Sequence, residues 1–124
     1  MVLGRLSAAL VGIALLATPA AAAGTIGMEE VQSGLASGRI VLIDVREAGE
    51  FAAGHVPGAV NMPLSSFSPA ALPKPVDKTV VLMCRSGNRS GRAQAAAIGA
   101  GRDDVVNYSG SMLEWSARGG PIAR

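Results

Sequence analysis

The chain has one cysteine and one histidine in 124 residues. A single cysteine excludes an internal disulfide framework and any all-cysteine metal site. A single histidine leaves no histidine cluster to hold a metal. Aromatic residues make up only 3% of the chain: Phe51, Phe67, Tyr108 and Trp115. That is too few for base-stacking platforms, so nucleic acid is not an expected partner. Charge is also sparse, at 16%, with 11 basic against 9 acidic residues and a formal net charge of +2. Neither sign dominates enough to imply a polyanionic or polycationic partner. A hydrophobic fraction of 49% excludes a disordered polyelectrolyte. The length allows one domain.

The first 23 residues differ from the rest. Arg5 is their only charge, Leu6 to Ala17 is an apolar run broken by Ser7 and Gly12, and Thr18-Pro19 precedes four alanines. A basic start, an apolar middle and an Ala-x-Ala exit describe a secretory signal peptide with its cut after Ala23. The alternative is an uncleaved membrane anchor, but Pro19 and the small residues favour cleavage. The expected domain is therefore 24–124, periplasmic or secreted, or else anchored on the same side. Part of the mean hydropathy of +0.36 belongs to this leader. One thiol carried into an oxidising compartment is a liability unless it is buried or used.

From Gly24 onward, strands and helices alternate. Thr25-Ile26 fits a short edge strand. Met28, Val31 and Leu35 have helical spacing, and Gly34 and Gly38 mark a helix end. Ile40 to Val45 is a β-branched run suited to a strand buried on both faces. Glu47 to Ala53 can form two helical turns, and Pro57-Gly58 signals a turn before Ala59-Val60. Pro69, Pro73 and Pro75 predict a loop with short helical turns. Thr79 to Met83 reads as a second buried strand, Ser90 to Ala100 as an alanine-rich helix, and Val105 to Tyr108 as a third strong strand. Ser111 to Ala117 reads as a last helix stopped by Gly119-Gly120-Pro121. This alternation predicts an α/β domain with a mostly parallel sheet.

The strand at Thr79 to Met83 runs directly into Cys84, followed by Arg85-Ser86-Gly87-Asn88-Arg89 and a helix start near Ser90. Ligands in open α/β sheets bind beyond the carboxyl ends of strands. A loop curling into a helix N-terminus points several backbone N–H groups at one spot, and these stabilise an anion. A thiolate is such an anion, so the thiol of Cys84 should ionise more readily than usual. Arg85, Arg89 and Arg92 add positive charge, and Gly87 permits unusual backbone angles. Ser86, Asn88 and Ser90 can cap the helix or donate to an anion. The competing reading is a packing cysteine at a strand end. The polar company from Arg85 to Ser90 argues for a reactive one.

Cys84-Arg85-Ser86-Gly87-Asn88-Arg89-Ser90 resembles the active-site loop of single-domain rhodaneses. Ile43-Asp44-Val45-Arg46-Glu47, Glu50-Phe51, Gly54-His55-Val56-Pro57-Gly58-Ala59 and Asn61-Met62-Pro63-Leu64 resemble a second signature of that family. Gly110, Met112, Trp115 and Gly119-Gly120-Pro121 match its C-terminal pattern. With the leader, the likeness is to small exported rhodaneses of the phage-shock type. The resemblance implies a five-stranded parallel sheet with helices on both faces. It also implies sulfur transfer from thiosulfate, or a similar small anionic donor, through a persulfide on Cys84 to cyanide or a thiol. It calls for no metal and no organic cofactor, and a monomer is expected.

On that resemblance Gly87, Asn88, Arg89 and Ser90 supply the cradle amides. Arg85 and Arg89 are candidates to hold the anionic donor in a guanidinium fork, with bracing of the loop or a solvent-facing position as the alternative for either. Arg46, with Asp44, either faces the pocket or ties loops together. His55 reads as a brace in a turn rather than a general base, and Trp115 as a core anchor. Other functions remain open: a persulfide carrier, a non-catalytic rhodanese-like binding module, or a Cys-dependent phosphatase or arsenate reductase. The phosphatase reading is weak, because Met83 precedes the cysteine where a histidine is wanted. The arginine also comes one residue early, at Arg89, with Ser90 in its place.

Overall fold

The computed structural model describes residues 24–124. The expected leader, 1–23, lies outside the described residues. Four helices carry the fold: α1 (Met28–Ser37), α2 (Ala48–Ala53), α3 (Asn88–Gly99) and α4 (Ser111–Ala117). The strands are β1 (Ile40–Asp44), β2 (Val60–Asn61), β3 (Thr79–Met83) and β4 (Val106–Asn107), with short 3-10 turns at Leu64–Ser66 and Pro69–Ala71. The four strands pair in parallel, in the order β2-β1-β3-β4.

β1 and β3 occupy the centre because both are unbroken apolar runs, which only a sheet covered on two faces can bury. Their five-residue register, Ile40 opposite Thr79 through Asp44 opposite Met83, brings Asp44 level with the last residue before Cys84. Side chains alternate between two cores. Leu42, Val81 and Met83 meet Met28 and Val31 of α1 and Met112 and Trp115 of α4 on one face. Ile43, Val80 and Leu82 meet Ala93 and Ala97 of α3 on the other, together with Val45 and Leu72. Helices thus cover both faces. The alanines of α3 let that helix lie close to the sheet, with its N-terminus directly beyond β3.

The resemblance implied five strands, and among the described residues the sheet has four. The fifth is reduced to one bridge, Thr25 to Asn107, flanked by Ile26 N–H to Asn107 O at 3.0 Å and Asn107 N–H to Gly24 O at 2.9 Å. Among the described residues only Gly24 to Gly27 precede α1, too few for a ladder. β4 is likewise shorter than the expected Val105 to Tyr108. α1 ends at Gly38, whose φ of 70° is the left-handed turn that releases the chain into β1. Among the described residues no helix is long and apolar enough to cross a membrane.

Candidate active site

Cys84 sits one residue past β3 and is 0% exposed. The chain then turns at Gly87, φ 88°, straight into α3, so the helix begins at Asn88 rather than near Ser90. A side chain at Gly87 is excluded twice over. The left-handed φ disfavours it, and a Cβ there would lie 2.3 Å from the Ser109 carbonyl oxygen. The Gly87 carbonyl accepts the Gly91 N–H at 3.0 Å and the Asn107 Nδ2–H at 3.3 Å, which fixes the turn.

The turn aims donors at the sulfur. Gly87 N–H lies 3.1 Å from Cys84 Sγ, and the buried Ser90 hydroxyl 3.4 Å from it. Burial, the largest single influence, pushes the thiol pKa up. The Ser90 hydroxyl and the amides of Ser90, Ser86 and Gly87 together outweigh it, and the net shift is down. Donors that favour the charged form thus prevail over desolvation. The sulfur can carry a negative charge in a site shielded from bulk water.

The loop is held from behind by α4. The Ser111 hydroxyl accepts the Cys84 N–H at 3.1 Å and donates to the Tyr108 carbonyl at 2.7 Å. Met112 N–H reaches the Cys84 carbonyl at 3.1 Å, and Leu113 N–H the Arg85 carbonyl at 3.0 Å. Ser111 is fully buried and holds a φ of 50°, uncommon for a residue with a side chain. In the sequence Ser111 reads only as a helix start. Its separation from Cys84, 27 residues, hides the contact.

The arginines divide. Arg89 is engaged by Glu50 of α2, with Nη1 to Oε1 at 2.6 Å and Nη2 to Oε2 at 2.9 Å. This hydrogen-bonded pair holds the Glu50 carboxyl down at about 2. Arg89 therefore follows the bracing alternative in this geometry. Glu50 is a residue whose part the sequence did not reveal. Arg85 is exposed, and its guanidinium meets no carboxylate among the described residues. Ser86 and Asn88 are exposed at the rim.

Asp44 and Arg46 tie loops together. Arg46 Nε and Nη2 bind the Asp44 carboxylate, Nη2 at 2.8 Å, and Nη2 also donates to the Gly54 carbonyl at 2.7 Å. Asn61 Nδ2 donates to the Asp44 and Arg46 carbonyls at 3.0 and 2.8 Å. His55 braces as expected. Its Nδ1 lies 2.8 Å from the Phe51 carbonyl, and its ring stacks on Phe51 at 3.8 Å. Trp115 is 2% exposed and donates from Nε1 to the Pro121 carbonyl at 2.8 Å, an anchor of the core.

Comparison with known proteins agrees with this architecture. A family profile described as a rhodanese-like domain matches residues 27–118. An uncharacterised protein of Synechocystis sp. is 36% identical over 100 residues, which are 81% of this chain and 56% of that protein. The chain thus spans little more than half of that relative. The thiosulfate:glutathione sulfurtransferase of Homo sapiens is 38% identical over 109 residues, covering 77% of this chain and 95% of that protein. The solved structure of a human single-domain sulfurtransferase matches with a TM-score of 0.67 at 37% identity, over 77% of this chain and 97% of that one. With the profile spanning most of the chain and the cysteine loop set at the end of a parallel strand, this protein is a sulfurtransferase and belongs to the rhodanese-like family.

Proposed function

We propose that this sulfurtransferase moves the outer sulfur of thiosulfate to a thiol or cyanide through a persulfide on Cys84. The Cys84 thiolate attacks the outer sulfur, the S–S bond of thiosulfate breaks, and sulfite leaves with the electron pair. The protein keeps one sulfur as a Cys84 persulfide anion. An acceptor thiol then gives up its proton and attacks that sulfur. The bond to Cys84 breaks, Cys84 regains its thiolate, and the proton ends on the new acceptor persulfide. This is covalent catalysis split into two easier steps.

The observation that carries the reading is the pair of donors, Gly87 N–H and Ser90 hydroxyl, converging on Cys84 Sγ. They stabilise the attacking thiolate and the returning leaving group alike. The names of the human and yeast relatives, both thiosulfate:glutathione sulfurtransferases, support the donor and a thiol acceptor. The phosphatase reading gains no support from the geometry. Arg89, the residue nearest in sequence to the arginine that would hold a phosphoryl group, is turned onto Glu50. The test is turnover: thiosulfate and cyanide should yield thiocyanate, and an aryl phosphate should stay intact. Aryl phosphate hydrolysis without thiocyanate would reverse the assignment.

The same reading places the working domain at 24–124, exported after cleavage behind Ala23 and acting as a monomer without metal or organic cofactor. The basic, apolar and Ala-x-Ala pattern of the leader supports export. N-terminal sequencing of the protein recovered from the producing cell should return Gly24. Met1 recovered from a membrane fraction would mean an anchor instead.

A further inference from the structure

Asn107 is a polar residue in an apolar stretch. It stands in β4 between Val106 and Tyr108 and is 6% exposed. Its Nδ2 donates to the Gly87 carbonyl at 3.3 Å. Its Oδ1 has no hydrogen-bond partner, the one buried side-chain nitrogen or oxygen left so among the described residues. A buried amide with one half unpaired costs stability, and an apolar side chain of similar shape avoids that cost. Packing alone would therefore favour a valine at this strand position. The neighbour dictates which half is paired. Gly87 presents an oxygen, so the amide NH2 faces it and Oδ1 is left without a donor.

The group that Asn107 holds is one residue's width from the sulfur. Gly87 N–H lies 3.1 Å from Cys84 Sγ, and the carbonyl of the same Gly87 is the atom that Asn107 grips. Only the φ of 88° and ψ of −8° of Gly87 relate these two groups. Glycine is soft in both angles, so a held oxygen is what keeps the N–H aimed. With ψ near zero the oxygen lies on the far side of the residue from its nitrogen, and Gly87 is clasped between Cys84 and Asn107. The Gly87 oxygen also accepts the Gly91 N–H at 3.0 Å. That bond runs along α3, whereas the Asn107 bond comes from the sheet, so the two fix the oxygen in different directions. The sheet is a firm post. Tyr108 N–H reaches the Leu82 carbonyl of β3 at 2.8 Å. On the other edge Asn107 N–H meets the Gly24 carbonyl at 2.9 Å, and the Asn107 carbonyl accepts the Ile26 N–H at 3.0 Å.

We propose that Asn107 is a positioning residue of the sulfur-transfer site: from β4 it holds the Gly87 carbonyl and thereby keeps the Gly87 N–H aimed at Cys84 Sγ. The unpaired buried oxygen is the stability given up for that aim. The inference rests on the reading of Cys84 as the working nucleophile and adds what keeps its cradle in shape. The Gly87 amide is among the donors that lower the thiol pKa. A loop released from β4 should therefore ionise its cysteine less readily.

The experiment compares Asn107→Val, which fills the position with an apolar side chain suited to a strand, and Asn107→Ala, which removes the amide with the least crowding. Neither touches the loop charges Arg85 and Arg89, and the Gly87 carbonyl keeps its Gly91 partner. The Cys84 thiolate is titrated by ultraviolet absorbance. Burial and the hydrogen bond to Glu114 push the Tyr108 phenol up, clear of that window. In both variants the titration should move up by about half a pH unit, or about threefold less thiolate at any pH below it. Loading from thiosulfate should fall by the same factor there and return to the parent rate at high pH, with the half-saturating thiosulfate concentration unchanged. The denaturant midpoint of Asn107→Val should hold or rise, because an unpaired buried oxygen has gone. A merely structural Asn107 would give the opposite, a lower midpoint and an unmoved titration. An unmoved titration in the folded variants would overturn the proposal. Failure of both variants to fold would overturn it too, since the residue would then serve the fold and not the loop. The titration needs no sulfur donor. A protein that titrates as expected and takes no sulfur from thiosulfate would therefore sink the persulfide reading alone.

Discussion

Glu50 holds Arg89 in a two-pronged ion pair, 2.6 Å and 2.9 Å, that joins α2 to the first turn of α3. The partners are 39 residues apart in the chain, and the pair spans the side of the loop that carries Cys84. It ties the start of α3 to α2 and neutralises the Arg89 charge beside the loop.

That pair should make the fold sensitive to acid. A carboxyl whose pKa is depressed on folding adds stability above its unfolded value, and the gain is lost as pH falls through the folded value. For Glu50 the window runs from the ordinary 4.5 down to about 2. Both side chains are partly exposed, so solvent screening limits the contribution to about 1 kcal/mol or less. Urea unfolding at pH 6 and pH 3 should show Glu50→Gln losing less stability on acidification than the unmodified protein. Equal losses would mean that the pair does not brace the fold.

The two loop arginines should behave differently. Arg85 is exposed and meets no carboxylate among the described residues, so Arg85→Ala should raise the half-saturating thiosulfate concentration several-fold, with the effect shrinking at high salt. Arg89 acts on loop position, so Arg89→Ala should slow thiosulfate and mercaptopyruvate alike, with little response to salt. Steady-state rates with both donors at low and high salt check this. The reverse pattern would assign the donor contact to Arg89.

Ser90→Ala removes the hydroxyl that points at Cys84 Sγ from 3.4 Å. Burial then opposes ionisation with one donor fewer, so the thiolate titration should move to higher pH and the loading rate at neutral pH should fall. Ultraviolet absorbance of the thiolate against pH gives the shift directly. An unmoved titration would leave the backbone amides as the sole cause.

Ser111→Ala leaves the buried Cys84 N–H without an acceptor and the Tyr108 carbonyl without a donor. Leaving such a buried group unpaired costs about 1–3 kcal/mol. Denaturant midpoints should fall accordingly, and a loss well under that range would mean that water replaces the hydroxyl.

The sequence disclosed the frame of this site more fully than its fastenings. β3 and α4 fall where the apolar run and the Gly119-Gly120-Pro121 stop put them, because those signals are local. The cysteine loop was legible for the same reason, as a strand end, a glycine and a helix start in seven residues. α3 begins two residues early because Gly87 turns the chain directly into the helix, and that depends on its close approach to Ser109. The single bridge at Thr25 and the short β4 reflect how little edge is left to pair. Glu50 and Ser111 were not legible as parts of the site. Each meets the loop across a long separation, and each residue type is common in an exposed helical turn or cap. Asp44 and Arg46 admitted two readings until their ion pair was seen.

The central claim is that Cys84 carries the transferred sulfur. Intact mass of the protein after thiosulfate should rise by one sulfur atom, cyanide should remove that mass as thiocyanate, and Cys84→Ser should show no gain. Removal by cyanide matters because oxidation of the cysteine to a sulfinic acid adds nearly the same mass and is not reversed by cyanide. A mass unchanged by thiosulfate, or a gain that persists in Cys84→Ser, would contradict the account.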